Sequence, residues 1–325
     1  MTIFLMLFCG VGVFLWLDNY KNAAGPGENE EVVVLIPAGA SFSAIADILA
    51  DAGLIYPDVR FKILGRVHGL ADKLQAGEFR LSGGSLPLEI LEKLSRAEIV
   101  QHPVTVVEGL TAQAVAKLFA AGGWCDEMEF LRLVHDQDFI SSLGLEGVSS
   151  LEGYLFPDTY FLTRIPAFDA EKILKTMVNR FFHVWDSLEP EGVNLHKVVT
   201  LASIVEKETG AEHERSVIAS VFLNRLEKGM RLQSDPTVIY GRDGAIGPIT
   251  KTDLKAATPY NTYVIKGLPP GPISNPGKAS LQAVLHPADE DYLYFVSKND
   301  GTHHFSRTLA EHNRAVYQYQ RKMKE

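Results

Sequence analysis

Three kinds of apolar run follow one another along this chain. The first, MTIFLMLFCGVGVFLWL, carries no charge from Met1 to Leu17. That is near the lower length limit for a membrane-spanning helix, about 17–25 residues. It predicts a retained anchor over 1–18 and not a cleaved leader, which wants a basic start and a clear small-residue cleavage site. Flanking charge does not orient it, because Asp18 offsets Lys21. NYKNAAGPGENEE, polar with Gly and Pro, then predicts a tether over 19–30.

The second kind is short. VVVLIP is β-branched and predicts a strand. SFSAIADILADAG places Ile45, Ile48 and Leu49 at helical spacing, with Ser41 as N-cap and Gly53 past the end. PDVRFKILGRVHG predicts a second helix opened by Pro57, and AGEFRL a strand. Val32 to Leu81 therefore reads β-α-α-β, followed by a helix in PLEILEKLSRA and a strand in PVTVVEG. This small unit, 31–100, resembles a LysM-type module, a resemblance that implies binding of N-acetylated glycans.

The third kind has helical period. Helices are expected at Thr111–Ala121, Asp126–His135, Asp169–Leu188, Leu195–Thr209 and Glu212–Lys228. After them comes a long stretch rich in Gly, Pro, Asn and Tyr, whose Tyr240, Tyr260, Tyr263, Val264, Ile265 and Leu268 supply surface to bury. The end returns to order with a helix in KASLQAVLHP, strands in DYLYFV and HHFS, and a last helix from Leu309. The expected fold class is α+β: a membrane helix, the small module, and a larger, mainly helical domain over 101–325.

LASIVEKETG ends one of these helices with two acids. At about 100° per residue, Val198, Val199, Leu201, Ala202, Ile204 and Val205 cover more than half the circumference. Thr200, Ser203 and Lys207 form the one polar stripe. The helix is expected to be buried. Glu206 and Glu208, two apart, point nearly opposite ways, so they cannot act as a pair on one bond. One reading has both emerging from the core to cap or to pair with neighbours such as Arg215. The other holds one of them against apolar walls, where desolvation keeps a carboxyl protonated and able to donate. The wheel does not choose between them.

Composition narrows the classes. Length of 325 residues is room for about two domains. A net charge of −9 without a basic block argues against nucleic acid as partner. Cys9 and Cys125 make no metal spacing and no expected disulfide. His286, His303, His304 and His312 likewise lack a compact ligand spacing, so no metal and no cofactor are expected.

EGYLFPDTY, LASIVEKET, RLQSDPTVIYG and PYNTY…GLPPGPISNPG occur in that order. Together they resemble the YceG-like (MltG) family of endolytic murein transglycosylases, over nearly the whole chain. The resemblance makes Glu206, the first Glu of IVEKET, the catalytic acid, with Glu208 supporting. It implies a single-pass protein of the cytoplasmic membrane whose catalytic part lies outside, on the periplasmic side. It further implies action on peptidoglycan glycan strands, with peptidoglycan synthases as a further partner class. The short uncharged start departs from that pattern.

Under that resemblance, Tyr154, Tyr160, Tyr240, Tyr260 and Tyr263 offer faces for sugar rings. Gln233, Ser234, Asp235, Thr237 and Asn261 offer polar groups, and Glu152 and Asp158 are expected supports of the acid. Each has a plain structural alternative in turns and loop bends. Two other classes compete. A non-catalytic glycan-binding scaffold would keep the aromatic groove without needing an acid. A pyridoxal-phosphate lyase would need a Schiff-base lysine and a phosphate cradle; Lys207 is the only lysine of the central motif and no Gly-rich cradle precedes it.

Overall fold

The structure is a computed structural model and describes residues 12, 15–164, 168–242 and 247–321. It divides into two compact units. One runs to Val104 and takes in Tyr160–Phe168; the other comprises Thr105–Thr159 and Asp169–Glu325. Among the described residues no helix is long and apolar enough to cross a membrane. The expected anchor lies almost wholly outside them.

The first unit has the β-α-α-β order. Strand β1 (Glu31–Ile36) pairs antiparallel with β2 (Gly77–Ser82), from Glu31 opposite Ser82 to Ile36 opposite Gly77. Between them run α1 (Phe42–Asp51), whose first free N–H groups are met by the Ser41 hydroxyl, and α2 (Arg60–Val67). Helix α3 (Pro87–Ser95) follows. Ile45, Leu49, Phe61, Leu64, Phe79, Ile90, Leu91 and Leu94 make one core. The 19–30 tether is corrected in part. Tyr20 lies in that core with the Arg60 guanidinium 4.6 Å from its ring centre. Gly25 sits so close to the Leu54 carbonyl that a side chain there has no room.

The chain passes between units at β3 (His102–Thr105) and β4 (Thr159–Leu162), which pair with each other. Strand β4 sits inside PDTYFL, a segment whose period did not announce it.

The second unit is mainly helical: α4 (Ala112–Ala121), α5 (Glu127–Val134), α6 (Gln137–Ser142), α7 (Ala170–Asp186), α8 (Leu195–Glu208) and α9 (Arg215–Glu227). Thr111, Asp126, Asp136, Asp169 and Asn194 each accept from a first-turn N–H, which fixes five of these starts. After them come α10 (Asp235–Tyr240), α11 (Lys278–Leu285), the antiparallel pair β5 (Tyr294–Ser297) and β6 (His303–Ser306), and α12 (Leu309–Val316). Helix α8 is the spine, buried from Val198 through Val205, with α9 and α11 packed on it. Of its polar stripe only Lys207 is exposed. Thr200 and Ser203 are buried, and Ser203 Oγ accepts from the Ile273 N–H at 3.0 Å. Cys125 is free, and burial pushes its thiol up to about 11, as befits an inert thiol.

One glycine decides whether the EGYLFP loop can seat against α8. Gly153 has φ +89°, and a Cβ there would meet Pro272 at 2.5 Å and Val199 at 2.9 Å. Gly153→Ala combines left-handed strain with overpacking and is expected to destabilise the second unit by about 2–4 kcal/mol. Denaturant unfolding of the variant beside its parent measures this; an unchanged midpoint would contradict the packing described.

Candidate functional site

Helix α8 delivers its two terminal acids to different places. Glu206 turns to the start of α11. Its Oε2 accepts from the Gly277 N–H at 3.0 Å and from the Ser280 hydroxyl at 2.8 Å. Its Oε1 lies 3.6 Å from Arg215 Nη2, and the side chain is 6% exposed. The positive end of α11 complements a carboxylate there. The wall around Glu206 is thus hydrogen-bonding and includes Arg215, as in the first of the two readings of the wheel and not the apolar wall of the second: the helix buries its apolar face, but its last turn projects beyond it.

A second carboxylate stands beside it. Glu108 Oε2 is 3.9 Å from the same Arg215 Nη2, and its side chain is 48% exposed. Burial, and next the charge of Glu206, push the Glu108 carboxyl up. Arg215 Nε is buried with no hydrogen-bond partner among the described residues. Glu108 precedes the N-cap of α4 in VVEGLT; nothing in its spacing to IVEKET could have linked the two.

The loops that carry these groups are tied together by Asn275, which is fully buried. Its N–H donates to the Leu110 carbonyl at 2.8 Å, and its carbonyl accepts from the Gly109 N–H at 2.9 Å. Its Oδ1 accepts from the N–H groups of Gly153 and Leu155, each at 2.9 Å. Its Nδ2 donates to the Leu110 carbonyl at 2.9 Å and to Glu152 Oε1 at 3.3 Å.

Glu152 is buried at the start of α4, accepting from the Ala112 N–H at 3.0 and 3.1 Å and from the Tyr240 hydroxyl at 3.2 Å. Burial pushes its carboxyl up to about 7 despite these donors. It supports the frame of the site.

Glu208 takes the opposite side. Its Oε1 accepts from the Ser234 hydroxyl at 2.5 Å. Burial first, then the charge of Asp235, push its carboxyl up to about 7. It lines a cavity of about 420 Å³ with Arg225, Gln233, Asp235, Tyr263 and Tyr294. Arg225 donates to the carbonyls of Leu293 and Leu232 at 2.7 and 2.5 Å. Gln233 is exposed on the edge with φ +50°, a strained backbone for a residue other than glycine.

Several residues expected to face sugar are interior. Tyr154 is fully buried. Its hydroxyl meets His196 Nδ1 at 2.8 Å, while His196 Nε2 donates to the Pro270 carbonyl at 2.9 Å. Thr237 is fully buried and donates to the Ser234 carbonyl at 2.6 Å. Asn261 is 1% exposed; its Nδ2 donates to the carbonyls of Asp253 and Ala256 at 3.0 and 2.7 Å. The Ser234 hydroxyl is spent on Glu208. These four hold loops, because each bend in a Pro- and Gly-rich stretch needs its backbone groups satisfied. Asp158 accepts from Arg180 Nε and from the Thr159 N–H at 2.6 and 2.7 Å, a brace at the start of β4. Gln233, Asp235, Tyr240, Tyr260 and Tyr263 remain accessible in part. Tyr240 and Tyr260 pack ring to ring at 4.8 Å, and the Tyr263 hydroxyl donates to Asp235 at 2.6 Å. No metal-ligand cluster forms among the described residues.

The raised carboxyls of Glu152 and Glu208 have a stability consequence. Below their ordinary value of 4.5 both folded and unfolded chains hold the proton. Between 4.5 and about 7 only the unfolded chain releases it, so stability falls as pH rises through that window. Glu208→Gln should therefore gain in melting temperature relative to its parent between about pH 5 and 7.5, by a few degrees. Thermal melts across that range check it; a difference independent of pH would contradict the burial.

Comparison with known proteins completes the description. The sequence profile of the YceG-like family matches residues 34–318. The endolytic murein transglycosylase of Bacillus subtilis (strain 168) is 36% identical over 95% of this chain and 90% of its own length. That of Streptococcus pneumoniae serotype 2 (strain D39 / NCTC 7466) is 27% identical over 89% of this chain, which spans only 58% of that relative. A crystal structure of a yceG-like protein from Listeria monocytogenes superposes with a TM-score of 0.59 at 35% identity, covering 89% of this chain and all of that one. With the profile running through both units and the four motifs assembled around α8, this chain belongs to the YceG-like family.

Proposed function

We propose that this protein is an endolytic murein transglycosylase, a lyase that cuts peptidoglycan glycan strands between N-acetylmuramic acid and N-acetylglucosamine. The observation that carries the reading is the placement of Glu206. In the last turn of a rigid helix this nearly buried carboxylate has one oxygen fixed by two donors, and its other oxygen lies 3.6 Å from Arg215. Rigid mounting of this kind is what a proton-transfer group requires. The names of the relatives point the same way.

A glycosidase that uses water needs two carboxylates, one as acid and one as base or nucleophile. A lytic transglycosylase takes its nucleophile from the substrate. Glu206 Oε1 gives its proton to the glycosidic oxygen as the bond to C1 of the muramic acid breaks. The 6-hydroxyl of the same sugar then attacks C1, and its proton passes to the Glu206 carboxylate. The proton lost in the first half is regained in the second, a 1,6-anhydro ring closes, and no water is consumed. Gly277 and Ser280 hold Oε2 throughout, so only Oε1 exchanges.

Several finer parts of the reading belong with it. Gln233, Asp235, Tyr240, Tyr260 and Tyr263 are assigned to substrate, and the β-α-α-β unit to LysM-like glycan binding. Met1–Leu17 is assigned as a single-pass anchor in the cytoplasmic membrane that leaves the catalytic unit outside. There, beside peptidoglycan synthases, cleavage terminates strand elongation. One observation favours a different acid on the same chemistry: of the two acids of α8, Glu208 is the one pushed up to about 7 and the one that lines the cavity.

Purified protein incubated with peptidoglycan should yield products ending in 1,6-anhydro-N-acetylmuramic acid, read by mass spectrometry. Reducing ends that carry label from ¹⁸O-water would make the reaction a hydrolysis and overturn the single-acid mechanism.

A further inference from the structure

Glu108 is unaccounted for by the single-acid mechanism, yet it lies closest to it. Three observations converge on it. It shares Arg215 with Glu206, at 3.9 and 3.6 Å from the same nitrogen. It also shares Gly277: Glu206 accepts that residue's N–H at 3.0 Å, while the Glu108 carboxyl occupies the space where a Cβ at Gly277 would stand. Finally, it is the open member of the pair, its side chain 48% exposed against 6% for Glu206. The charged groups around it come from each neighbouring element: Glu206 on α8, Arg215 on α9 and Glu212 in the turn before α9. Lys207 donates to the carbonyl of the adjacent Gly109 at 3.2 Å.

We infer that Glu108 is a positioning residue for the reaction: it shares Arg215 and Gly277 with Glu206 and so fixes the charge that the catalytic acid faces. The inference rests on Glu206 being the acid. Its physics is direct. Both carboxylates feel the field of one guanidinium, and each also repels the other; the charge of Glu206 opposes ionisation of Glu108. Removing the charge of Glu108 leaves Glu206 facing Arg215 without the opposing carboxylate. Gly109, with φ +76°, lets the chain turn from Glu108 into α4 beside the Glu206 and Lys207 side chains; a Cβ there would lie 3.6 Å from Glu206 Cγ and 3.5 Å from Lys207 Cδ. Backbone and side chain of this segment therefore meet the acid together.

The test compares pH profiles of kcat/KM on peptidoglycan for the full-length parent, Glu108→Gln and Glu108→Asp, with Glu206→Gln as control. The alkaline limb of Glu108→Gln is expected to move to lower pH by about half a unit, as a like charge a few ångströms away dictates. Glu108→Asp should restore it, while all three melt alike. Side-chain ¹³C-carboxyl NMR, with the Glu108 signal identified by its loss in Glu108→Gln, adds a readout free of turnover: Glu206→Gln should move the Glu108 titration to lower pH. A Glu108→Gln profile superimposable on the parent, with Glu206→Gln inactive, would overturn this proposal alone. A Glu108 signal unmoved by Glu206→Gln would overturn it as well. Full turnover by Glu206→Gln would strike the acid assignment and this proposal together.

Discussion

The buried side-chain amide of Asn275 holds the site together. It reaches the loop before α4 and the EGYLFP loop, and its own loop presents Gly277 to Glu206. Each backbone group it satisfies is far from solvent, and a buried donor left without a partner costs about 1–3 kcal/mol. Loops that would otherwise be free are therefore fixed in register with α8. Ser203 and Ser274 add a second tie, since the Ser274 hydroxyl donates to the Ser203 carbonyl at 3.2 Å. The catalytic assignment needs this frame, because a carboxylate acts on one bond only if helix and loops hold their places together.

The frame also explains why the two acids of one helix turn do different things. Glu206 meets two donors and a cation, while Glu208 meets one hydroxyl and a cavity wall. Helical geometry alone separates them, and tertiary context then gives each its character. Glu108 adds a charge that no periodicity connects to either.

Much of this architecture could be read from sequence. The β-α-α-β order, the buried α8 and most helix starts follow from apolar spacing and from Ser, Thr, Asp and Asn caps, and the structure places them within a few residues of expectation. The divergence of Glu206 and Glu208 followed from the wheel. What could not be read depends on contacts across long sequence separation. Asn275 looks like a turn residue before Pro276 until its partners at 110, 152, 153 and 155 are seen. Thr237 and Asn261 look like groove residues for the converse reason: polar groups in a Pro- and Gly-rich stretch serve either ligand or backbone, and here the backbone takes them, while the Tyr154 hydroxyl is taken by the His196 ring. Thr200 and Ser203 read only as a polar stripe, because nothing local foretells that Ser203 meets the Ile273 N–H.

The central claim is that Glu206 is the proton-transfer group and Glu208 is not. Turnover of Glu206→Gln and Glu208→Gln, measured side by side on the same peptidoglycan with both shown to be folded at the assay temperature, tests it most directly. Loss of general acid–base catalysis costs about 10²–10⁴-fold, so the account expects Glu206→Gln to fall by that factor and Glu208→Gln to keep most of its rate. An inactive Glu208→Gln beside a fully active Glu206→Gln would contradict the account and move the chemistry to the cavity on the other face of the helix.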